Sequence, residues 1–234
     1  PVSTGCYVSR IKVKQRFRDV ENFLITAEKW ATVGHLLGED YPESLLEEAW
    51  RQLLFCAFHD AITGTHIDTA YHEIHEMLDN AERLSHEALA PTLDLIEERI
   101  QADEDEIGLV LYNAESWTRT HPVRMVLYTE GSNPSFLDAD GNPVRVLDIR
   151  ATGSRTEYTI LPPPLPPLGY ATILLAPEEK PADSGVWTDG PGVFESGVYR
   201  VTVSERGISS ITDLRTGSAL RDAPGYVITA LVLA

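Results

Sequence analysis

Cysteine is scarce in this chain: among 234 residues there are only Cys6 and Cys56. Two thiols cannot frame a fold of this length, and neither belongs to a CxxC pair, so a disulfide scaffold is excluded. Free thiols are at home in a reducing compartment, and the expected location is cytoplasmic. Long apolar runs are also missing. No stretch approaches the ~18 consecutive apolar residues of a transmembrane helix, so no membrane association is expected. Basic charge is short as well, with 19 Lys+Arg against 36 Asp+Glu and a net charge of −17. The deficit is evenly spread, with nine basic and 18 acidic residues up to position 102 and ten against 18 beyond it. Such a surface repels a phosphate backbone, which argues against nucleic acid as a partner. Acidity without clustering favours solubility over cation binding. A signal peptide is absent too, but the chain begins at Pro1 and stops inside the strand-like stretch 226–234 (YVITALVLA). Both ends read as cut. An uncharged, β-rich terminus of this kind is an open edge, so self-association into homo-oligomers is expected.

What is present divides into two halves with different hydrophobic periods. Apolar residues make up 43% of the chain, enough to bury a core. Val13, Phe17, Val20, Leu24, Ala27 and Ala31 recur at steps of four and three, one apolar stripe of a first helix that ends near Gly34 and Gly38. Arg10, Lys12, Lys14, Arg16 and Arg18 flank that stripe on different sides and read as solvated flanks. A second helix starts at Pro42, with Glu43, Glu47 and Glu48 near its positive end. It carries apolar residues on two faces, Leu45, Ala49, Leu53 and Cys56 on one and Leu46, Trp50, Leu54 and Ala57 on the other, which predicts a helix sandwiched between neighbours. It is expected to run out at 59–64 (HDAITG). A third helix begins near Ile67 and follows Ala70, Ile74, Met77, Ala81, Leu84 and Ala88, with Pro91 as a potential bend. The predicted fold class is α+β in two segregated parts: a three-helix bundle over 1–102 and an incomplete antiparallel β-sandwich over 103–234.

The second part follows a charged linker at 101–106 (QADEDE). Strands are expected at 109–112, 123–128, 144–147, 158–160, 170–175, 198–203 and 227–233, with turns at Asp140-Gly141, Arg206-Gly207 and Thr216-Gly217. The run 162–167 (PPPLPP) belongs in a loop or at a sheet edge, since proline cannot donate to a central ladder.

Chemistry concentrates at His59-Asp60. Placed in the last turn of the second helix, the pair would sit against unpaired carbonyls whose partial negative charge favours a cation. A neutral imidazole is a good zinc ligand, and the neighbouring carboxylate can accept a hydrogen bond from a sugar hydroxyl. Such a dipeptide alone is more often a capped helix end. Asp68, His72, His75 and Glu76 form a rival set on the third helix, where His72 and His75 have chelating i, i+3 spacing; an exposed polar face on an acidic helix explains them more simply.

The context of the pair changes its meaning. Residues 50–65 (WRQLLFCAFHDAITGT) resemble a helix of the glycoside hydrolase family 38 α-mannosidases, in which a tryptophan and an apolar run precede His-Asp and a Gly-Thr exit. Residues 5–10 (GCYVSR), followed by Lys14, Arg18, Glu21 and Ala27-Glu28, are similar to that family's approach to its bundle. In the β half, 109–117 (LVLYNAESW), 166–170 (PPLGY) and 207–216 (GISSITDLRT) match its first β segments in the same order. One departure stands out: Cys56-Ala57 occupies a place where the family often has a polar amide.

The resemblance implies a zinc-dependent retaining hydrolase of terminal α-mannosides, with the α-mannoside as partner. It implies His59 as one metal ligand and Asp60 as a substrate-binding carboxylate. It also implies that the remaining zinc ligands, the nucleophile and the acid/base lie in an N-terminal catalytic domain preceding Pro1, so this segment has no catalytic residues of its own and is expected to be inactive alone. Two other functions stay open: a mannosylglycerate hydrolase of the same family, and a non-catalytic carbohydrate- or partner-binding module in which His59 is merely structural.

Overall fold

The computed structural model describes residues 4–100, 107–128, 134–176, 191–195, 197–205 and 207–222. The chain forms two compact units, Pro1–Ala182 and Asp183–Ala234. The expected linker at 101–106 and the expected strand at 227–233 lie outside the described residues.

The first unit opens with a 3-10 turn, Thr4–Tyr7, and three long helices, α1 (Ile11–Leu37), α2 (Glu43–Cys56) and α4 (Asp68–Glu97), with a single-turn helix α3 (His59–Ile62) between the last two. Every residue of the predicted α1 stripe is buried, joined by Trp30 and Gly34. These side chains pack with Leu46, Leu53 and Cys56 of α2 and with Ile74, Leu78, Ala81 and Leu84 of α4 in one core. Each fully buried Leu or Phe contributes roughly 1.5–3 kcal/mol, whereas an exposed ion pair contributes about 0–1 kcal/mol. The core therefore holds the bundle, and the charges tune it.

Local chemistry sets the helix ends. Gly38 has φ 112° and closes α1, with Gly38 N–H donating to the His35 carbonyl and Glu39 N–H to that of Gly34. This pair of bonds is the Schellman motif, which favours glycine because its backbone must be left-handed. Gly34 has a different role. A Cβ there would stand 2.1 Å from Thr92 Oγ1, so its hydrogen lets α1 and α4 approach closely. Pro91 lies inside α4, which continues through it to Glu97.

Two corrections concern α2. It ends at Cys56, and Phe58 is extended (φ −56°, ψ 143°), so His59 and Asp60 lie in the separate turn α3 and not in the last turn of the central helix. The buried stripe Leu46, Ala49, Leu53 and Cys56 stops at that point, and the chain must turn to reach the start of α4. No glycine or proline marks the break. The second apolar face is covered in part: Leu46 is buried and Trp50 packs against the core, whereas Leu54 is 60% exposed, as are the neighbouring Phe55 (61%) and Phe58 (54%). Both predicted faces thus reach the core near the middle of α2, and the second loses its cover towards Leu54 and Ala57.

The β part of the first unit has two three-stranded antiparallel sheets, in the orders β1-β6-β3 and β2-β5-β4. Their strands are β1 (Ile107–Asn113), β2 (Val123–Tyr128), β3 (Ser135–Asp138), β4 (Arg145–Thr152), β5 (Arg155–Leu161) and β6 (Gly169–Ala176). Phe136, Val146, Tyr158, Ile160 and Ile173 form their shared core. The proline run lies between β5 and β6, where Leu165 pairs with Arg119 in an isolated antiparallel bridge. Asn113 is the polar centre of this region. It is fully buried; its Nδ2 donates to the carbonyls of Trp117 (2.9 Å), Leu165 (3.2 Å) and Pro166 (2.8 Å), and its Oδ1 accepts from Glu115 N–H. The segments 109–117 and 166–170, singled out by sequence, are thus tied to each other by one amide.

Helices and sheets of this unit meet at Tyr112. Its ring stands edge-on to Trp30 at 5.1 Å and its hydroxyl donates to Glu97 at 3.2 Å. Burial and the Glu97 carboxylate push its phenol well above the ordinary tyrosine range. The second unit, by itself, is a four-stranded antiparallel meander in the order β10-β9-β8-β7, built from β7 (Gly192–Glu195), β8 (Tyr199–Ser204), β9 (Gly207–Asp213) and β10 (Ala219–Asp222). Gly217, in the predicted turn before β10, and Gly207, the first residue of β9, are both left-handed (φ 69° and 111°), while Arg206 of the other predicted turn lies outside the described residues. Among the described residues, no helix is long and apolar enough to cross a membrane.

Candidate functional site

A single turn of helix leaves most of its backbone carbonyls unpaired, so its neighbours must satisfy them. The turn α3 nucleates on the Phe58 carbonyl, which accepts from Ala61 N–H (2.9 Å) and Ile62 N–H (3.0 Å); the Ala61 carbonyl accepts from Gly64 N–H (3.2 Å). Three further carbonyls of the turn and its exit accept from side chains. His66 Nδ1 lies 3.3 Å from the Asp60 carbonyl, Lys14 Nζ donates to that of Thr63 at 3.3 Å, and Ser9 Oγ to that of Gly64 at 3.4 Å. Gly64 has φ 77°, and a Cβ on it would stand 2.7 Å from the Ser9 carbonyl. That position needs glycine on both counts.

The loop therefore rests against the start of α1. Lys14 Nζ also donates to the Ser9 carbonyl at 2.7 Å, and Arg10, itself left-handed at φ 46°, pairs with Asp68 at 2.8 Å. The Arg10 guanidinium lies 5.0 Å above the Tyr71 ring, which packs on His66 and His75. Of the basic residues read as solvated flanks, Lys12 and Arg18 are exposed as expected, whereas Arg10, Lys14 and Arg16 are part-buried and tie elements together. Arg16 holds Asp79 and Glu82 of α4, and Lys14 and Arg10 brace the site loop.

On this base the two candidate residues face outward. His59 and Asp60 are 75% and 73% exposed in their side chains, with Nε2 and Oδ2 3.5 Å apart. Phe58 lies beside the imidazole, ring centroids 4.2 Å apart. Sequence placed both residues at one point, and they are there together; the surrounding clamp of Ser9, Lys14, Gly64 and His66 was not foreseen as part of it. The motif 5–10 was legible as a phrase, but nothing in its spacing showed that it folds against a loop some fifty residues later.

A zinc ion needs about three or four ligands. Among the described residues no three His, Cys, Asp or Glu come together to hold one. The exposed imidazole of His59 would fit as one ligand, and the others would have to come from outside this set. The rival set on α4 is dispersed: Asp68 is paired with Arg10, and His72 and His75 both pack on Tyr71. Cys56, hydrogen-bonded to the Ile74 carbonyl at 3.7 Å, is held inert, since burial pushes its thiol up to about 11.

Comparison with known proteins shows what the chain as a whole is similar to. The family described as "Alpha mannosidase middle domain" matches residues 2–96. An alpha-mannosidase of Saccharomyces cerevisiae is 25% identical over 166 residues, 66% of this chain and 15% of that protein. A crystal structure of an alpha-mannosidase from Enterococcus faecalis superposes with TM-score 0.68 at 20% identity, covering 90% of this chain and 29% of that one. A second crystal structure, of a protein in glycosyl hydrolase family 38 from Enterococcus faecalis, gives TM-score 0.67 at 21% identity over 90% of this chain and 30% of its own. The chain thus spans less than a third of these relatives; it shares their fold, and its residues 2–96 match the alpha-mannosidase middle domain.

Proposed function

We propose that this chain works as the middle segment of a larger, zinc-dependent retaining α-mannosidase acting on terminal α-mannosides, to which His59 gives one metal ligand and Asp60 one hydroxyl contact. The observation that carries this reading is the braced but outward-facing His59-Asp60 turn, flanked by the exposed apolar Leu54, Phe55 and Phe58. Side chains held this firmly yet left open to solvent are arranged to meet something outside the chain's own described residues. Retaining hydrolysis needs two carboxylates about 5–5.5 Å apart; in this reading both belong to another domain, and this segment alone is inactive.

Bound zinc would supply electrostatic grip on the sugar's hydroxyls. The chain's own share is positional. Asp60 accepts a hydrogen bond from a sugar hydroxyl and so fixes its orientation, while Phe58 supports the His59 ring beside it. Two free thiols, Cys6 and Cys56, suit a reducing, cytoplasmic setting. The test is metal analysis of an intact enzyme containing this chain. The wild type should hold zinc and cleave an aryl α-mannoside, and His59→Ala should lose both. Retained zinc with unchanged rate would return His59 to a structural role, as the non-catalytic module requires.

A further inference from the structure

We infer that Lys14 is a positioning residue that orders the His59-Asp60 turn from the first turns of α1; its consequence for zinc rests on the function proposed above. The ammonium sits where the start of α1 and the site loop meet, donating to the carbonyls of Ser9 (2.7 Å) and Thr63 (3.3 Å). In a chain with 36 acidic residues, it forms no carboxylate pair among the described residues. Its neighbours Arg10, Arg16 and Arg18 are all ion-paired. Lys14 alone spends its charge on backbone oxygens, and it joins two segments 49 residues apart. A cation bridging two carbonyls makes charge-assisted bonds, stronger than neutral ones. A four-residue turn is otherwise too short to hold its own shape.

The other contacts to the turn are weaker supports. Ser9 Oγ reaches Gly64 at 3.4 Å, near the limit of a hydrogen bond, and His66 reaches the Asp60 carbonyl at 3.3 Å in an exposed position. Loss of Lys14 therefore frees the Thr63 carbonyl and unlocks Ser9 together. The His59 ring then samples orientations that a shared metal shell does not accept. Residues that orient a ligand in this way change metal affinity by about 10–100-fold when removed.

The test uses the intact enzyme with Lys14→Met, Lys14→Arg and His59→Ala. Amide hydrogen exchange is read at Ala61, Ile62 and Gly64, with buried positions of α4 as the internal control, and zinc affinity by competition with a chelator. The expected result for Lys14→Met is exchange at least about tenfold faster in the turn, unchanged exchange in α4, and zinc affinity lowered by about 10–100-fold. Lys14→Arg, which keeps two donors and the charge, should recover most of both. Should Lys14→Met fail to fold, Lys14→Gln, with one donor group, is read in its place and should fall between. Unchanged exchange in the turn, or exchange raised equally through α4, overturns the inference. If the turn loosens in Lys14→Met while His59→Ala keeps its zinc, the clamp stands and the zinc reading falls; if His59→Ala loses zinc while Lys14→Met keeps order and affinity, the clamp falls alone.

Discussion

Two loops of the first unit are fastened in opposite ways. The site loop is braced from outside its own helix by Lys14, Ser9 and His66, with partly exposed bonds of 3.3–3.4 Å to its carbonyls. The loop after β1 is fastened from within by Asn113, fully buried, with bonds of 2.8–3.2 Å to three carbonyls. A buried amide cannot be removed without stranding its partners in a place water does not reach, so it acts mainly on stability. An exposed brace can be removed at small cost to the fold, because water replaces it, and so acts mainly on position. The difference marks which loop is architecture and which is site.

The comparison is broken most severely if the site residues turn out to matter for stability. In an intact enzyme, His59→Ala should lower catalytic efficiency by more than about a hundredfold, since ligand loss exceeds the effect of removing a group that merely orients one. Asp60→Ala should cost roughly ten- to a hundredfold, the equivalent of one charged hydrogen bond of about 1.5–3 kcal/mol. Side chains exposed to 75% and 73% contribute little packing, so thermal unfolding of both variants should match the wild type when all three are compared free of metal. A clear drop in melting temperature for either would make α3 part of the architecture.

The converse holds for Asn113. Asn113→Ala leaves the carbonyls of Trp117 and Pro166 without this donor, while that of Leu165 keeps the Arg119 N–H, at about 1–3 kcal/mol for each buried group that water cannot reach. A total loss of about 3 kcal/mol is expected in denaturant unfolding, with zinc affinity of the enzyme unchanged. Loss below about 0.5 kcal/mol, the level of an ordinary surface change, would remove the distinction between the two loops.

The same contrast explains what could be read in advance. The stripe Val13, Phe17, Val20, Leu24 was legible because burial follows a period that local geometry imposes. So was strand β2, found at 123–128 as expected. The break at Phe58 was not, because no special residue marks it; it is imposed by where the core of α2 ends. Strands β3, β7 and β10 are four residues each, too short for alternation to stand out. Of the site, His59 and Asp60 came through resemblance of the surrounding phrase, since the pair alone is ambiguous. Lys14, Ser9 and Asn113 act across 49 to 55 residues, and their partners are backbone carbonyls, which leave no trace in side-chain pattern.

Within the bundle, close packing at Gly34 tests whether α1 and α4 are a rigid base for the site. Gly→Ala in a helix interior ordinarily gains about 1 kcal/mol. Here the new Cβ would meet Thr92 Oγ1 at 2.1 Å and Thr92 Cβ at 3.0 Å, so the helices must part or the side chain must turn. Overpacking of this kind costs about 1–3 kcal/mol, which reverses the sign. Gly34→Ala should therefore destabilise, and Thr92→Ala in the same chain should recover part of the loss, a coupling that denaturant midpoints of the single and double variants would reveal.

The smallest effect expected is on acidification, at the outer α1–α4 contact. Arg16 grips Glu82 through both oxygens, at 2.9 and 2.5 Å, and Asp79 at 2.7 Å. The hydrogen bond from Arg16 holds the Glu82 carboxyl below its ordinary value, against desolvation and the repulsion of Asp79, with His86 also lowering it. The guanidinium is itself held more firmly protonated, first by Glu82, so it stays charged throughout. A carboxylate whose folded pKa is depressed stabilises the fold fully above its unfolded value of about 4.3 and loses that contribution as pH falls through the folded value. The bundle should therefore be indifferent to this pair from pH 5 to 8 and should weaken below about pH 4. Because both side chains are partly exposed, at 26% and 34%, the pair contributes about 1 kcal/mol or less. Glu82→Gln should flatten the acid limb of stability while leaving the neutral plateau lower by that small amount. An acid limb unchanged in Glu82→Gln would assign the weakening to the other carboxylates of α4 and leave Arg16 as a surface contact.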